Sequence, residues 1–542
     1  MKCCLSKKPA WSDPIAMRDT AAILDPQHGV ACNESARAHR ALASSLGRMA
    51  LDPRTPVLIG CGQYAQHVDT VAEALDPVGM MCRAIRSAAD DAGLTEVPRP
   101  DAVTVVALLS WRHGDPALLI AEQLGLLPTH TALTTHGGNS PQSLVNKTAL
   151  QIQAGEVELA ILTGGEASRT RGRAKQQGIE LDWPTTPADQ IPETVGEDLA
   201  MSHEAERALG IFAPVQMYPM FETAIRSAAG RSVDEQRVVA SELWSRFSAV
   251  AAGNPNAWSH VERSPEEIRT ATPRNRMIGF PYTKYMNSNN DVDMAAGLIM
   301  CSVAKAEALG VPRDRWVFIH AGTDCHEHKY VSNRWSFAST PAIELGGRMA
   351  LELAGMTIAD IDIVDLYSCF PSAVQLGAQS LGLALDAQLT RTGGLPFAGG
   401  PWNNYVMHAI ATVMNDVRAA PGSNGLVWAN GGYATKHAFG IYSTTPPADG
   451  FKHGSPQEEI DAMPRREVAT LAEAAGPATI EVYTVMHDRE GTPETVYAAC
   501  LLADGRRAWA RATDRALAAA MCVGEWVGRA ATLDPDGTLL PQ

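Results

Sequence analysis

One strand-helix-strand spacing occurs twice in the chain, and no other feature restricts its folding as strongly. The apolar run VLIGCGQ (57–63) leads to AVTVVALLS (102–110), and RWVFIHAG (315–322) leads to DIDIVDLYS (360–368). Val57 and Val103 lie 46 positions apart, as do Val317 and Ile363. A third run follows in each half, ELAILTGGEAS (158–168) and NGLVWANGG (424–432). Short apolar runs alternating with helical patterns predict an α/β fold with a mostly parallel sheet and crossover helices. The equal spacing predicts a structural duplication. Between the first two runs, Met81, Ile85, Ala88 and Ala92 share one helical face. The segment 338–355 repeats that pattern, with Thr340 as N-cap, Pro341 in the first turn and Gly355 as C-cap.

At 542 residues the chain exceeds one ordinary core. Residues 1–53 read as a poorly ordered extension, with Met49 as a start and no apolar h-region of a signal peptide. The halves are expected over 54–310 and 311–445. The Pro- and Trp-punctuated stretch 169–285 is too long for a loop and predicts a subdomain inside the first half. Beyond the linker TTPPADGFKHGSP, residues 446–542 read as paired strands with turns at Arg489-Glu490-Gly491 and Asp504-Gly505. They predict a small β-rich domain.

A formal net charge of -15 argues against nucleic acid, because phosphate neutralisation needs a basic surface. No uninterrupted apolar run is long enough to span a membrane. The ten cysteines form no CxxC pair, which fits reduced thiols and a cytoplasmic location.

The motifs DLYSCFPSAV, GGLPFAGGPWNNYVMHA and WANGGYATKHAFGIYS, in this order after TGGEAS, resemble the thiolase superfamily, and in particular the sterol-carrier-protein type of thiolase. With the added β-domain the chain is similar to type 1 thiolase-like proteins. The resemblance implies a five-layered αβαβα thiolase fold, an OB-like C-terminal domain, and acetyl-CoA acetyltransferase-like descent within lipid metabolism. It also implies a coenzyme A thioester as ligand or substrate where the halves meet, and no covalently bound cofactor. A homodimer, or a partner protein docked on the C-terminal domain, is a further expectation.

Thiolases use a nucleophilic Cys at a helix N-terminus, an activating His and a second Cys, and the helix end and a cationic neighbour lower the thiol pKa. In this sequence the nucleophile position falls on Gly138, or on Asn139 one register later, within TTHGGNSPQSLVNK. The activating His falls on Gly400, and the second Cys on Ala429 or Asn430. The resemblance therefore implies a protein without ordinary thiolysis or Claisen condensation. Where sterol-carrier-type thiolases carry His-Asp-Cys-Phe, this chain reads Tyr367-Ser368-Cys369-Phe370. Some thiolase-fold aldolases carry a Tyr there, so the alternative reading makes Tyr367 a general acid or base in retro-aldol cleavage of a β-hydroxyacyl-CoA. A non-catalytic interaction protein is a third reading.

The expected acyl-CoA pocket comprises His136, Gly138, Asn139, Phe397, Gly399, Gly400, His408, Asn430 and Gly431, with Ser140 as N-cap and free helix N–H groups around it. Its glycines would let backbone approach a thioester carbonyl. Tyr367 also reads as a buried aromatic, Cys369 and His408 as core residues, and Cys325-His326-Glu327-His328 as packing rather than a metal site. The run Arg169, Arg171, Arg173 and Lys175 suits either the CoA phosphates or a solvated face.

Overall fold

The computed structural model describes residues 51–542, and most of the expected extension lies outside them. The first half runs β1 (Pro56–Ala65), α1 (Pro77–Asp91), β2 (Ala102–Val105), α2 (Pro116–Leu124), β3 (His130–Thr134), α3 (Ser140–Ala154) and β4 (Leu159–Ala167). The insert carries α4 (Ser168–Gln177), β5 (Glu193–Val195), α5 (Glu204–Ala208), α6 (Pro214–Ala228), α7 (Val233–Gly253), α8 (Pro265–Arg269), β6 (Met277–Gly279) and β7 (Tyr282–Thr283). After it, β8 (Asp293–Ser302) and α9 (Val303–Ala308) close this half. The second half runs β9 (Val317–His326), α10 (Pro341–Ala354), β10 (Ile363–Leu366), α11 (Pro371–Leu381), α12 (Tyr405–Ala419), β11 (Asn424–Gly431) and β12 (Lys436–Ser443). Then come β13 (Lys452–Gly454), α13 (Gln457–Asp461), β14 (Gly476–His487), β15 (Pro493–Leu502), β16 (Arg507–Ala512), α14 (Arg515–Met521), β17 (Ala530–Leu533) and β18 (Leu539–Pro541).

The duplication is explicit in the strand order. Across the main sheet, β2-β4-β8-β1 in the first half is matched by β10-β11-β12-β9 in the second. In each set the first pair is parallel and the next two are antiparallel. The halves join where Val57 pairs with Phe318 and Leu58 with Val317. The expectation of a mostly parallel sheet is corrected by this pattern. Strands β8 and β12 run antiparallel through the middle of each half, and their small-residue texts DMAAGLIMCS and KHAFGIYS lack the β-branched enrichment that marks a strand.

Helices α3 and α12 pack on each other and on strands of both halves, while α1 and α10 cover the outer faces. The result is the five-layered αβαβα arrangement of the thiolase fold. Close packing needs the glycines of VLIGCGQ: a Cβ on Gly60 or Gly62 would lie 2.0 Å from a carbonyl oxygen of α1. Asp76 caps α1 by accepting from the amides of Val78 and Gly79. Thr340, Pro341 and the left-handed Gly355 bound α10 as the sequence implies.

Past residue 446 the chain first adds β13 to β9 of the core, and the β-domain begins at Gly476. There β14 pairs β15 and β17, β15 pairs β16, β17 pairs β18, and a parallel bridge from Arg511 to Thr538 closes the ring. The insert strand β6 bridges to β14.

A buried cation ties this domain to the core. Arg507, fully buried, donates from Nε and Nη2 to Glu481 (2.7 Å each) and from Nη1 to the carbonyls of Ser332 and Arg334 (2.6 Å each). Removing one partner of a buried pair strands the other charge. Arg507→Leu is therefore expected to cost about 3–5 kcal/mol in chemical denaturation, and a loss below 1 kcal/mol would contradict this assignment.

Candidate functional site

The stretch TTHGGNSPQSLVNK crosses from β3 into α3. Asn139 rather than Ser140 occupies the N-cap, with φ -76° and ψ -21°, and Ser140 Oγ instead donates to the Thr135 carbonyl (3.0 Å). The expected free helix amides are mostly spent: Ser140 N donates to Gly137 O, and Gln142 N and Ser143 N both donate to Asn139 O. Among the described residues no acceptor is found for the amides of Gly138 and Asn139. The anion-seeking pair of N–H groups therefore lies one step before the helix.

Tyr367 reaches this turn from the end of β10. A Cβ on Gly138 would lie 2.6 Å from the Tyr367 hydroxyl oxygen and 2.4 Å from the Asn430 carbonyl oxygen. A Cβ on Gly431 would lie 2.5 Å from Asn139 Oδ1 and 3.1 Å from the Gly138 amide nitrogen. Gly138, Asn139, Asn430 and Gly431 thus meet Tyr367 at one point, where α3, β10 and β11 converge.

The insert supplies a residue that sequence reading missed. Tyr218 on α6 accepts from Asn430 Nδ2 (2.9 Å) and from the Ala434 amide (3.0 Å), and donates to the Gly432 carbonyl (3.2 Å). Its ring stacks on Phe370 at 4.6 Å, so α6 roofs the convergence. A tyrosine in an apolar helix such as PVQMYPMFETAIRSA reads as packing, and only the fold reveals its partner.

Burial, then the neighbouring Cys369 and Tyr405, hold the Tyr367 phenol well above its ordinary range. At neutral pH it is a donor or acid, not a base. Burial pushes the Cys369 thiol up to about 12, so it stays protonated and unreactive.

The other expected residues are distributed around this point. Tyr405 packs edge-on against Tyr367 at 5.6 Å and, with His408 and Gly399, lines a small separate cavity. His408 donates from Nδ1 to Gln63 Oε1 (2.8 Å), leaving a buried Nε2 without a partner. Gly400 donates its amide to Asn289 O (2.9 Å), and Phe397 accepts from the Ser259 amide at its carbonyl (3.0 Å). His136 is exposed on the rim, where Asn403 Nδ2 donates to its Nδ1 (3.1 Å) and Lys436 Nζ donates to its carbonyl (2.5 Å). Asn403 and Lys436 went unnoticed inside motifs quoted for their glycines.

The basic run lies on α4, beside the glycine loop, because Trp402 Nε1 donates to Ser168 Oγ (3.3 Å). Trp402 holds φ 45°, a left-handed conformation that costs a bulky residue energy and recurs at functional sites. Arg169 pairs with Asp291 at 3.3 Å, Arg173 donates to Val68 O (2.7 Å), and Arg171 is exposed apart from a bond to Leu109 O (3.4 Å). The Cys325–His328 run is engaged in packing: Cys325 Sγ donates to Ala342 O (3.3 Å), and Glu327 Oε1 accepts from the Ala342 amide (3.0 Å).

Two measurements check this geometry. Gly138→Ala forces a side chain against Tyr367 and Asn430, and overpacking predicts a loss of about 1–3 kcal/mol in chemical denaturation. Tyr367→Phe should recover part of that loss, and full stability of the single variant would contradict the contact. Burial lowers the His408 pKa from 6.5 to about 3. Below 6.5 the unfolded chain takes up a proton that the folded chain refuses until about 3, so stability falls as pH drops through that window. His408→Gln should flatten this decline, and an unchanged slope would contradict the assignment.

Comparison with known proteins agrees with the fold. The sequence profile of the thiolase-like protein type 1 additional C-terminal domain matches residues 456–538. No curated protein matches the chain. A monomeric SCP2-thiolase like protein type 1 from Mycobacterium smegmatis is 32% identical over 91% of this chain and 99% of its own, with a TM-score of 0.77. The Ltp2-ChsH2(DUF35) aldolase (18% identity, TM-score 0.56, 72% of this chain and 98% of that one) shares the fold. So does the dimeric peroxisomal thiolase of Saccharomyces cerevisiae (13%, TM-score 0.51, 72% and 98%). With its core arrangement, its added C-terminal domain and this relative, the chain belongs to the SCP2-thiolase-like type 1 proteins of the thiolase superfamily.

Proposed function

We propose that the protein binds an acyl-CoA thioester at the convergence of Tyr367, Gly138 and Asn430 and performs no Cys-dependent thiolysis or Claisen condensation. One observation carries the reading: the Tyr367 hydroxyl sits 2.6 Å from where a side chain at 138 would begin. A thiol there would collide with the phenol, and Gly400 and Ala429 or Asn430 offer neither the activating His nor the second Cys. The unpaired amides of Gly138 and Asn139 and the protonated phenol would hold a thioester oxygen. Arg171 on α4 would meet the CoA phosphates. A cytoplasmic location fits the seven described cysteines, all free thiols. The β14–β18 pairing, with its bridge from Arg511 to Thr538, is in keeping with an OB-like barrel, which would offer a surface to a partner protein or a second copy.

The protonated phenol favours one further reading, retro-aldol cleavage of a β-hydroxyacyl-CoA. In that reaction the Cα–Cβ bond breaks, its electron pair enters the thioester enolate, and Tyr367 returns a proton to Cα. A base outside Tyr367 takes the β-hydroxyl proton. The fold shared with the Ltp2-ChsH2(DUF35) aldolase is in keeping with this chemistry.

Calorimetric titration with CoA and a panel of acyl-CoAs should show saturable binding, weakened about tenfold in Tyr367→Phe by loss of one strong hydrogen bond. No turnover is expected in thiolysis of acetoacetyl-CoA, and robust turnover would overturn the reading. With a β-hydroxyacyl-CoA, release of a ketone or aldehyde that disappears in Tyr367→Phe would establish the lyase. Absence of binding to every CoA ester would leave an interaction protein.

A further inference from the structure

A second cavity, of about 410 Å³, opens on the outer flank of α3. That volume lies within the range of small-ligand pockets. Leu144 and Leu150 of α3 and Val195 of β5 form its apolar walls, and Asp324, Lys436 and His453 form its polar end. Neither Tyr367, Gly138, Asn430 nor His408 lines it.

At the polar end, Asp324 Oδ2 accepts from His453 Nε2 (2.8 Å) and Asn146 Nδ2 (2.9 Å), and its Oδ1 is buried without a partner. Lys436 is only 6% exposed, and its Nζ donates to one neutral group, the His136 carbonyl (2.5 Å). No ion pair to Lys436 is found among the described residues. An ammonium has three donors, and burying it without a counter-ion is costly. Its Nζ lies 3.1 Å from where a Cβ on Gly137 would stand, at the turn into α3, so the helix adds partial positive charge. Burial lowers the Lys436 pKa, whereas Asp198 raises it, which agrees with a cation lacking a close anion.

We infer that this cavity binds a monocarboxylate with an apolar tail, its carboxylate on Lys436 and its tail along Leu144, Leu150 and Val195. A dianion such as phosphate would meet Asp324 and Glu197 in the same wall, and an amine would meet Lys436. Asn139 borders both this cavity and the turn at Gly138, but the carboxylate reading rests on Lys436 and the apolar wall, which the acyl-CoA reading does not use.

The probes are octanoate, octylamine and inorganic phosphate, titrated calorimetrically into the full chain. Octanoate should bind saturably, and octylamine and phosphate should not. Lys436→Met should weaken octanoate about tenfold or more. Ser143→Trp, at a half-buried wall position, should abolish binding by filling the cavity, with folding of both variants verified by thermal unfolding. Tyr367→Phe should leave octanoate affinity unchanged even though it alters the thioester site. Equal affinity in Lys436→Met or in Ser143→Trp, equal binding of octylamine, loss of octanoate binding in Tyr367→Phe, or no octanoate binding at all would each overturn the assignment.

Discussion

The space a side chain at 138 would need is closed by two oxygens, the Asn430 carbonyl and the Tyr367 hydroxyl. A thiol and this phenol cannot share the space, because the first carbon of a side chain at 138 would already stand inside the contact distance of both oxygens. The phenol arrives from β10, the carbonyl from β11, and the glycine from the turn before α3. These three elements belong to both halves of the duplicated core. The hydroxyl at this point comes from the second half and the turn it meets from the first. Burial keeps this phenol protonated at neutral pH, so what it presents to the turn is a hydrogen-bond donor.

The insert and the C-terminal domain hold that arrangement from outside. Tyr218 fixes Asn430 from the roof. Behind it, the fully buried Glu222 of α6 accepts from Tyr282 Oη (2.5 Å) and from Gln375 Nε2 of α11 (2.9 Å), so the insert is fastened to the second half by polar groups with few alternative partners. Arg507 and Trp509 extend the same fastening to the β-domain: Trp509 Nε1 donates to Ser332 Oγ (2.8 Å) beside the Arg507 carbonyl contacts. A site assembled from several distant segments needs such ties, because no single element positions all of its groups.

The duplication was legible because its signal is local: each strand-helix-strand unit is written in one continuous text, and the spacing from Val57 to Val103 recurs from Val317 to Ile363. The antiparallel strands β8 and β12 were not, since Ala and Gly pair in a buried ladder without announcing a strand. Tyr367, Gly138 and Asn430 could be named from motifs, but their mutual contact depends on the second half folding over the first. Tyr218 and Lys436 were invisible for the same reason, as each sits in a text dominated by packing residues. Ser140 illustrates a finer limit: its hydroxyl is drawn to the Thr135 carbonyl by the preceding strand, and the cap moves to Asn139.

The most direct test is intact-mass spectrometry of the denatured protein after incubation with acetyl-CoA, with peptide mapping of any adduct. The proposed absence of a nucleophilic Cys at the turn, with the described cysteines held protonated, predicts no acetylated cysteine over residues 51–542. An acetyl group mapped to a cysteine within those residues would contradict the account.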